Sequence, residues 1–497
     1  MKRLIPVRDF VAASLNSGYG RINRVLRALG LISSLLLSTE LSAQTATDQL
    51  VRELDSLFHT SRFSNATFGV SIQSLKSGDF LYRLNDTKSL LPASNMKLFT
   101  AAEALALLGP EYRYKTEMLT NGKIKRHTLY GDLIFRGVGD PTSLSPIDTE
   151  DSWDDTLNAH EIYQMTGSFI ADNSFFTPEY YPTGWQIDDL PYYYATPVSA
   201  LIANENKVTL AIFPGLSLGS AAIVSWKRTP YPYGVILNKA TTGSPSSTVT
   251  IDAGRKIGTD TIVVTGSIPL GDTEIDEETS IDNPETYAVK LLMGMCPNYR
   301  GFHQRAIHQK VLATHQSPPL TSIIQHMNKE SDNLYAECLF RTVAKVKGGE
   351  GSWMRGIEVM RKYLASIGID TMNLQFTDGS GLSRMDFVTT DAIIKLLMVV
   401  WKDPKLKEPF YNSLPIMGVD GTLKNQLKGT PAAGNVHAKT GSMTGVRSIS
   451  GYLTTRDGEP IAFSILLNNF TAPGSDATKL ENEVLTRLVN FSRVESH

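Results

Sequence analysis

The stretch "LLPASNMKLFTAAEAL", residues 90–105, places Ser94 three positions before Lys97 at the start of an alanine- and leucine-rich run that Gly109-Pro110 closes. Proline near the start and Gly-Pro after the end predict a helix over residues 92–108. Residues three apart share a helix face, so the lysine amine can reach the serine hydroxyl. Ser94 falls at the first turn, where free backbone amides and the positive end of the helix dipole favour developing negative charge. Serine is a weak nucleophile until a base takes its proton. A lysine is that base only where burial or a second cation lowers its pKa. Alone the pair is a weak signal, because average composition gives roughly one or two chance S-x-x-K matches in a chain this long.

Two further triplets change its weight. Ser331-Asp332-Asn333 precedes an apolar-periodic helix, where all three residue types also serve as caps. Lys439-Thr440-Gly441 lies in a strand-like segment, where Gly441 would let a substrate backbone approach closely; the competing reading is a solvated lysine on a sheet edge. A similar triplet, Lys76-Ser77-Gly78, reads as turn chemistry only. S-x-x-K at a helix start, then S-D-N, then K-T-G on a late strand form the signature set of the penicillin-recognising serine acyl-enzymes.

The surrounding patterns predict an α/β domain split by an insertion. "DQLVRELDSLF" has helical spacing, and "FGVSIQSL-KSGD-FLYRLN" reads as a β-hairpin. "NVHAKTG" predicts a late strand, "GVRSISGYLTT-RDGEP-IAFSILLNNF" a second hairpin, and "DATKLENEVLTRLVNFSRV" a closing helix. Together these give a five-stranded antiparallel sheet flanked by helices. Residues 112–300 instead show short alternating runs separated by Gly, Pro, Asp and Asn, a β-rich texture of one or two inserted domains. The expected boundaries are 44–111 and 301–497 for the main domain and 112–300 for the insertion.

Residues 1–43 have the pattern of a secretory signal: six basic residues, the apolar run "ALGLISSLLL" and a small residue at Ala43. That run is shorter than the roughly 20 apolar residues of a spanning helix, so no integral membrane anchor is expected. The whole chain of 497 residues carries a formal charge of -2, which argues against nucleic acid as a partner. Two cysteines, Cys296 and Cys338, make no disulfide framework, and their pairing is left open. No zinc-spaced Cys/His cluster occurs, and neither metal nor cofactor is expected.

These motifs, with "GDLIFRGVGDP", "GWQIDDLPYYYATPVSALIANEN", "FTDGSGLSR" and "HAKTGSMTGV", resemble the D-alanyl-D-alanine carboxypeptidase/endopeptidase family, the class C low-molecular-mass penicillin-binding proteins. The resemblance runs from about Ser56 to Phe491 and implies a penicillin-recognising transpeptidase/β-lactamase-like fold whose insertion forms two β-rich subdomains. It implies an exported, periplasmic serine DD-peptidase acting on peptidoglycan stem peptides and acylated by β-lactams, with loose membrane association left open. Ser94 would be the nucleophile and Lys97 its base. Ser331 and Lys439 would carry the proton to the leaving amine, with Lys439 also holding down the Lys97 pKa. Asn333 would hold the substrate amide and orient Lys97. The amides of Ser94 and Ser442 would form the oxyanion hole, and Thr440 and Ser442 would hold the terminal carboxylate beside Gly441. A specificity pocket would use Trp185, Asp188, Tyr193, Arg384 and Met443, with Asp189 an alternative to Asp188; a packed aromatic loop is the competing reading. The rival functions are a β-lactamase-like hydrolase, a non-catalytic wall-binding protein, and another serine amidase or esterase.

Overall fold

The computed structural model describes residues 44–144, 157–227, 232–293 and 309–493. The expected signal segment and Cys296 lie outside them. Cys338 is a buried free thiol, its pKa pushed up by burial.

A helix over residues 44–58 turns Leu50, Leu54 and Phe58, each four apart, onto the sheet. Thr67–Ser74 and Phe80–Leu84 then form the first hairpin, and Gly78, with φ +82°, takes the left-handed turn position inside the K-S-G lookalike. The strand Thr67–Ser74 pairs on its other side with Pro460–Asn468, beyond which lie Val446–Thr454 and His437–Met443. The result is the five-stranded antiparallel sheet expected, joined from the two ends of the chain.

Strand alternation sorts the sheet's two faces. Val70, Ile72, Phe463, Ile465 and Leu467 pack with residues 44–58 and the closing helix Gly474–Asn490. Ala462, Leu466 and Tyr452 face the other way, into a core built by helices Met96–Leu108, Leu320–Lys329, Asn333–Gly348, Trp353–Ser366 and Thr390–Lys402. Met96–Leu108 is the central helix of that layer and is buried from Met96 to Leu105.

Its burial includes Glu103, whose two carboxyl oxygens no donor among the described residues reaches and whose pKa desolvation raises well above the ordinary carboxylate range. A folded-state pKa above the unfolded one stabilises below the unfolded value and loses that contribution as pH rises. Glu103→Met is therefore expected to raise stability by about 1–3 kcal/mol, with a larger gain at pH 7 than at pH 4. Thermal melts at the two pH values check this, and an equal or smaller gain at pH 7 refutes it.

The insertion builds two groups of sheets. The first is a four-stranded sheet ordered Lys310–Gln316, Lys115–Thr120, Leu133–Arg136, Phe169–Asp172, beside small strands at Lys123–Lys125, Thr128–Tyr130 and Gln164–Met165. The second spans residues 207–280 in two three-stranded sheets and one two-stranded sheet. One apolar cluster, including Phe135, Leu210, Ile212, Ile262 and Tyr287, joins both groups. The expected boundary at residue 300 falls short, because Lys310–Gln316 pairs with Lys115–Thr120 in the insertion's own sheet. The two chain crossings meet where Ser317 N–H donates to Tyr114 O and Tyr114 N–H to Ser317 Oγ.

Residues 177–206 lead back from the insertion across the helical layer. Arg341, buried on Asn333–Gly348 between the rings of Phe176 and Trp353, donates to the carbonyls of Thr177, Glu179 and Val198 and so ties that segment down. Its guanidinium also donates to the Gly351 carbonyl, so its five donors serve four carbonyls where a lysine has only three donors.

Candidate active site

Local sequence places the serine before any long-range contact does. Ala93–Asn95 form a 3₁₀ turn that leads into Met96–Leu108, so the predicted helix begins with a tighter turn at Ser94. Ala93 holds φ +45°, and Ser331 holds φ +62°. Both are left-handed conformations that non-glycine residues adopt at a cost, and both fall at this site. Ser331 separates Leu320–Lys329 from Asn333–Gly348, and Asp332 caps the second helix by accepting from Tyr335 N–H at 3.0 Å. The cap reading of S-D-N thus holds for Asp332, while Ser331 and Asn333 on either side of it stand at the candidate site.

The five polar residues expected to act together do meet. Lys97 Nζ donates to Ser94 Oγ at 3.0 Å, Asn333 Oδ1 at 2.6 Å and Ser380 O at 2.9 Å. Lys439 Nζ donates to Ser331 Oγ at 2.9 Å and Thr440 O at 2.8 Å. Both lysines are fully buried. Burial lowers the Lys97 pKa to about 8, against the pull of the Asp378, Asp332 and Glu337 carboxylates. Burial first, and the charge of Lys97 second, hold Lys439 well below its ordinary value. The buried interior, rather than a second cation, is what lowers the Lys97 pKa.

The edge strand supplies the other wall. Ala438 N–H donates to Pro415 O, away from the neighbouring strand, and the two-residue alternation turns the Ser442 N–H the same way, off the free edge. Gly441 lets this strand lie against the serine turn: a Cβ there would stand 2.8 Å from Ser94 N and overlap Ser448 Oγ. Asn95, invisible as a functional residue in sequence, clamps the turn by donating to Lys439 O at 3.1 Å and Ser448 Oγ at 2.9 Å.

A cleft of about 640 Å³ opens over this group, lined by Ser94, Ser331, Asn333 and Ser442 and by Asp189, Tyr193, Arg384 and Met443. Arg384 donates to Gln186 Oε1 at 3.2 Å and Thr444 O at 3.0 Å. Asp189, rather than Asp188, lines the cleft. Trp185 lies outside the lining and donates its indole N–H to Asp378 at 2.9 Å. Thr440 also lies outside it, its hydroxyl 2.7 Å from that of Thr422. Sequence reading missed Ser380, whose contribution is a carbonyl, and Tyr194, whose carbonyl accepts from Asn333 Nδ2 at 2.7 Å. It also missed Glu205, Lys207 and His326 at the cleft's edge.

A helix-start serine beside a sheet edge, with one buried lysine at its hydroxyl and another at a second serine, defines the class of penicillin-recognising serine enzymes. The chain belongs to the D-Ala-D-Ala carboxypeptidase 3 (S13) family, whose model matches residues 50–489. It is 32% identical over 464 residues to the D-alanyl-D-alanine carboxypeptidase of Actinomadura sp. (strain R39), covering 89% of this chain and 85% of that one. It is 27% identical to the D-alanyl-D-alanine carboxypeptidase DacB of Haemophilus influenzae, covering 91% and 94%. The solved penicillin binding protein 4 (dacB) of Haemophilus influenzae shares the fold, with a TM-score of 0.77 at 24% identity, covering 88% of this chain and 99% of that one. Among the described residues no helix is long and apolar enough to cross a membrane.

Proposed function

We propose that the protein is an exported serine DD-peptidase that hydrolyses the terminal D-Ala-D-Ala bond of peptidoglycan stem peptides through an acyl-Ser94 intermediate. The observation that carries this reading is the continuous contact from Ser94 Oγ through Lys97 Nζ to Asn333, beside the Lys439–Ser331 pair, at one wall of an open cleft. Lys97 takes the serine proton as Ser94 Oγ attacks the penultimate D-alanine carbonyl. The Ser94 and Ser442 amides receive the oxyanion, each such donor being worth about 3 kcal/mol in the transition state. The proton passes from Lys97 by way of the Lys439–Ser331 pair to the leaving D-alanine amine, and the Lys97 amine, neutral again, takes a proton from the water that releases the acyl group. Ser442, at the cleft, is the better placed partner for the terminal carboxylate, because the Thr440 hydroxyl is engaged with Thr422. Tyr193, Asp189, Arg384 and Met443 are the side chains that would meet the stem-peptide side chain.

Incubation with defined monomeric and cross-linked muropeptides tests the reading. Release of free D-alanine from the pentapeptide monomer is expected, with cleavage of the D-alanyl cross-link as a second activity of the same site. Turnover of penicillin with both muropeptides left intact would overturn it in favour of a β-lactamase.

A further inference from the structure

Behind Lys97 lies a group of three acids that the reaction itself does not use. Glu337, Asp378 and Asp386 are each fully buried. Among the described residues none of them has a lysine or arginine as an ion-pair partner. All three hold one irregular loop, residues 377–386. Asp378 accepts from the amides of Ser380, Gly381 and Ser383 at 3.1, 2.6 and 2.8 Å. Glu337 accepts from Gly379 and Ser380 N–H and from the Trp353 indole. Asp386 Oδ1 accepts from Thr377 N–H at 2.7 Å and its hydroxyl at 2.8 Å.

The loop delivers two things to the site. Its Ser380 carbonyl accepts from Lys97 Nζ, and its Gly381 abuts the Ala93 carbonyl just before the nucleophile. Its shape comes from carboxyl groups, since the bridge between Gln375 and Phe387 is the ladder that frames it.

The second oxygen of Asp386 is the anomaly. Among the described residues no donor reaches Oδ2, although the atom is buried. Burial first, and the charge of the neighbouring, hydrogen-bonded Asp378 carboxyl second, hold the Asp386 pKa well above the ordinary carboxylate value. Two ionised carboxylates in such contact repel each other, and in a buried site one of them takes a proton. Asp378 accepts N–H donors on both oxygens, Trp185 included, which favours its ionised form. The proton therefore belongs on Asp386.

We propose that Asp386 is held as the neutral acid and donates from Oδ2 to Asp378, and that this shared proton latches the 377–386 loop against Lys97. Asp386 is a positioning residue: it touches no substrate and acts through the loop. The latch removes one negative charge from the acids around Lys97, where Asp378 and Glu337 already pull the amine toward its charged form. It thereby keeps the loop in place without a third carboxylate charge to raise the Lys97 pKa. The consequence for catalysis rests on the acyl-serine reading; the protonation of Asp386 does not.

Two measurements on the full-length protein decide it. An infrared difference spectrum at pH 7, wild type minus Asp386→Asn, is expected to show the carbonyl stretch of a neutral carboxylic acid, and its absence would overturn the latch. In acylation by fluorescent penicillin, Asp386→Ala is expected to be slower by about tenfold or more, and Asp386→Asn, with its permanent donor, to recover to within about threefold of wild type. An asparagine variant as slow as the alanine variant also overturns it. Wild-type protein that does not label sinks the functional reading alone, because the infrared band still decides the latch.

Discussion

Ser94→Ala is expected to abolish covalent labelling by fluorescent penicillin and to lower peptidase activity by about 10⁴-fold or more, the scale of removing a nucleophile. Lys97→Met keeps most of the buried stem but removes the base, and about 10²–10⁴-fold of the acylation rate should go with it. The wild-type pH profile is the sharper check. Only the neutral amine accepts a proton, and with a pKa of about 8 Lys97 is neutral in a minority of molecules at pH 7. Acylation should therefore climb about tenfold from pH 7 to pH 9 and level off above that. Strong labelling of Ser94→Ala would overturn the assignment of the nucleophile. A flat profile, or a limb centred near the ordinary lysine value, would overturn the role given to burial.

Gly381→Ala carries the second large effect, through geometry alone. Gly381 holds φ +81°, and a Cβ there would overlap the Ala93 carbonyl oxygen and stand 2.8 Å from Met96 Cβ. The left-handed backbone costs about 1–2 kcal/mol for any L side chain, before the collision is counted. Relief requires the serine turn or the Ser380 loop to move. The expected outcome is a loss of about 2–4 kcal/mol of stability with acylation reduced at least about 10²-fold, since a 1 Å displacement of the reacting groups suffices for that. Denaturant unfolding and penicillin acylation measured on one preparation check this. A variant that unfolds more readily yet acylates at the wild-type rate would show that the turn is not held by this contact.

The two predictions draw on different kinds of information. Ser94, Lys97, Ser331, Asn333 and Lys439 are legible as motifs because each sits on a locally coded element: a 3₁₀ turn entering a helix, a capped helix start, and an edge strand. Gly381 and Ser380 are part of a recognisable string, yet their roles are not legible. Gly381 matters through the oxygen of Ala93, and Ser380 through a carbonyl every residue has. The same distinction separates Asp188 from Asp189. The family resemblance pointed to the first with the second as its alternative, and it is the second that lines the cleft. The insertion boundary moved for a related reason: Lys310–Gln316 finds its partner nearly 200 residues earlier in the chain, and no local pattern records such a pairing.

By itself the sequence determined the five strands, the helices around them, the β-rich character of the insertion and the motifs that mark the candidate site, because hydrophobic period, turn residues and caps are short-range properties. Tertiary structure decided what those residues can do. Burial lowers the Lys97 pKa, Gly441 and Gly381 let backbones close on Ser94, and three buried acids shape the loop beneath Lys97. Desolvation and close approach depend on atoms that chain folding brings together from distant positions, so they exist only once the fold is complete.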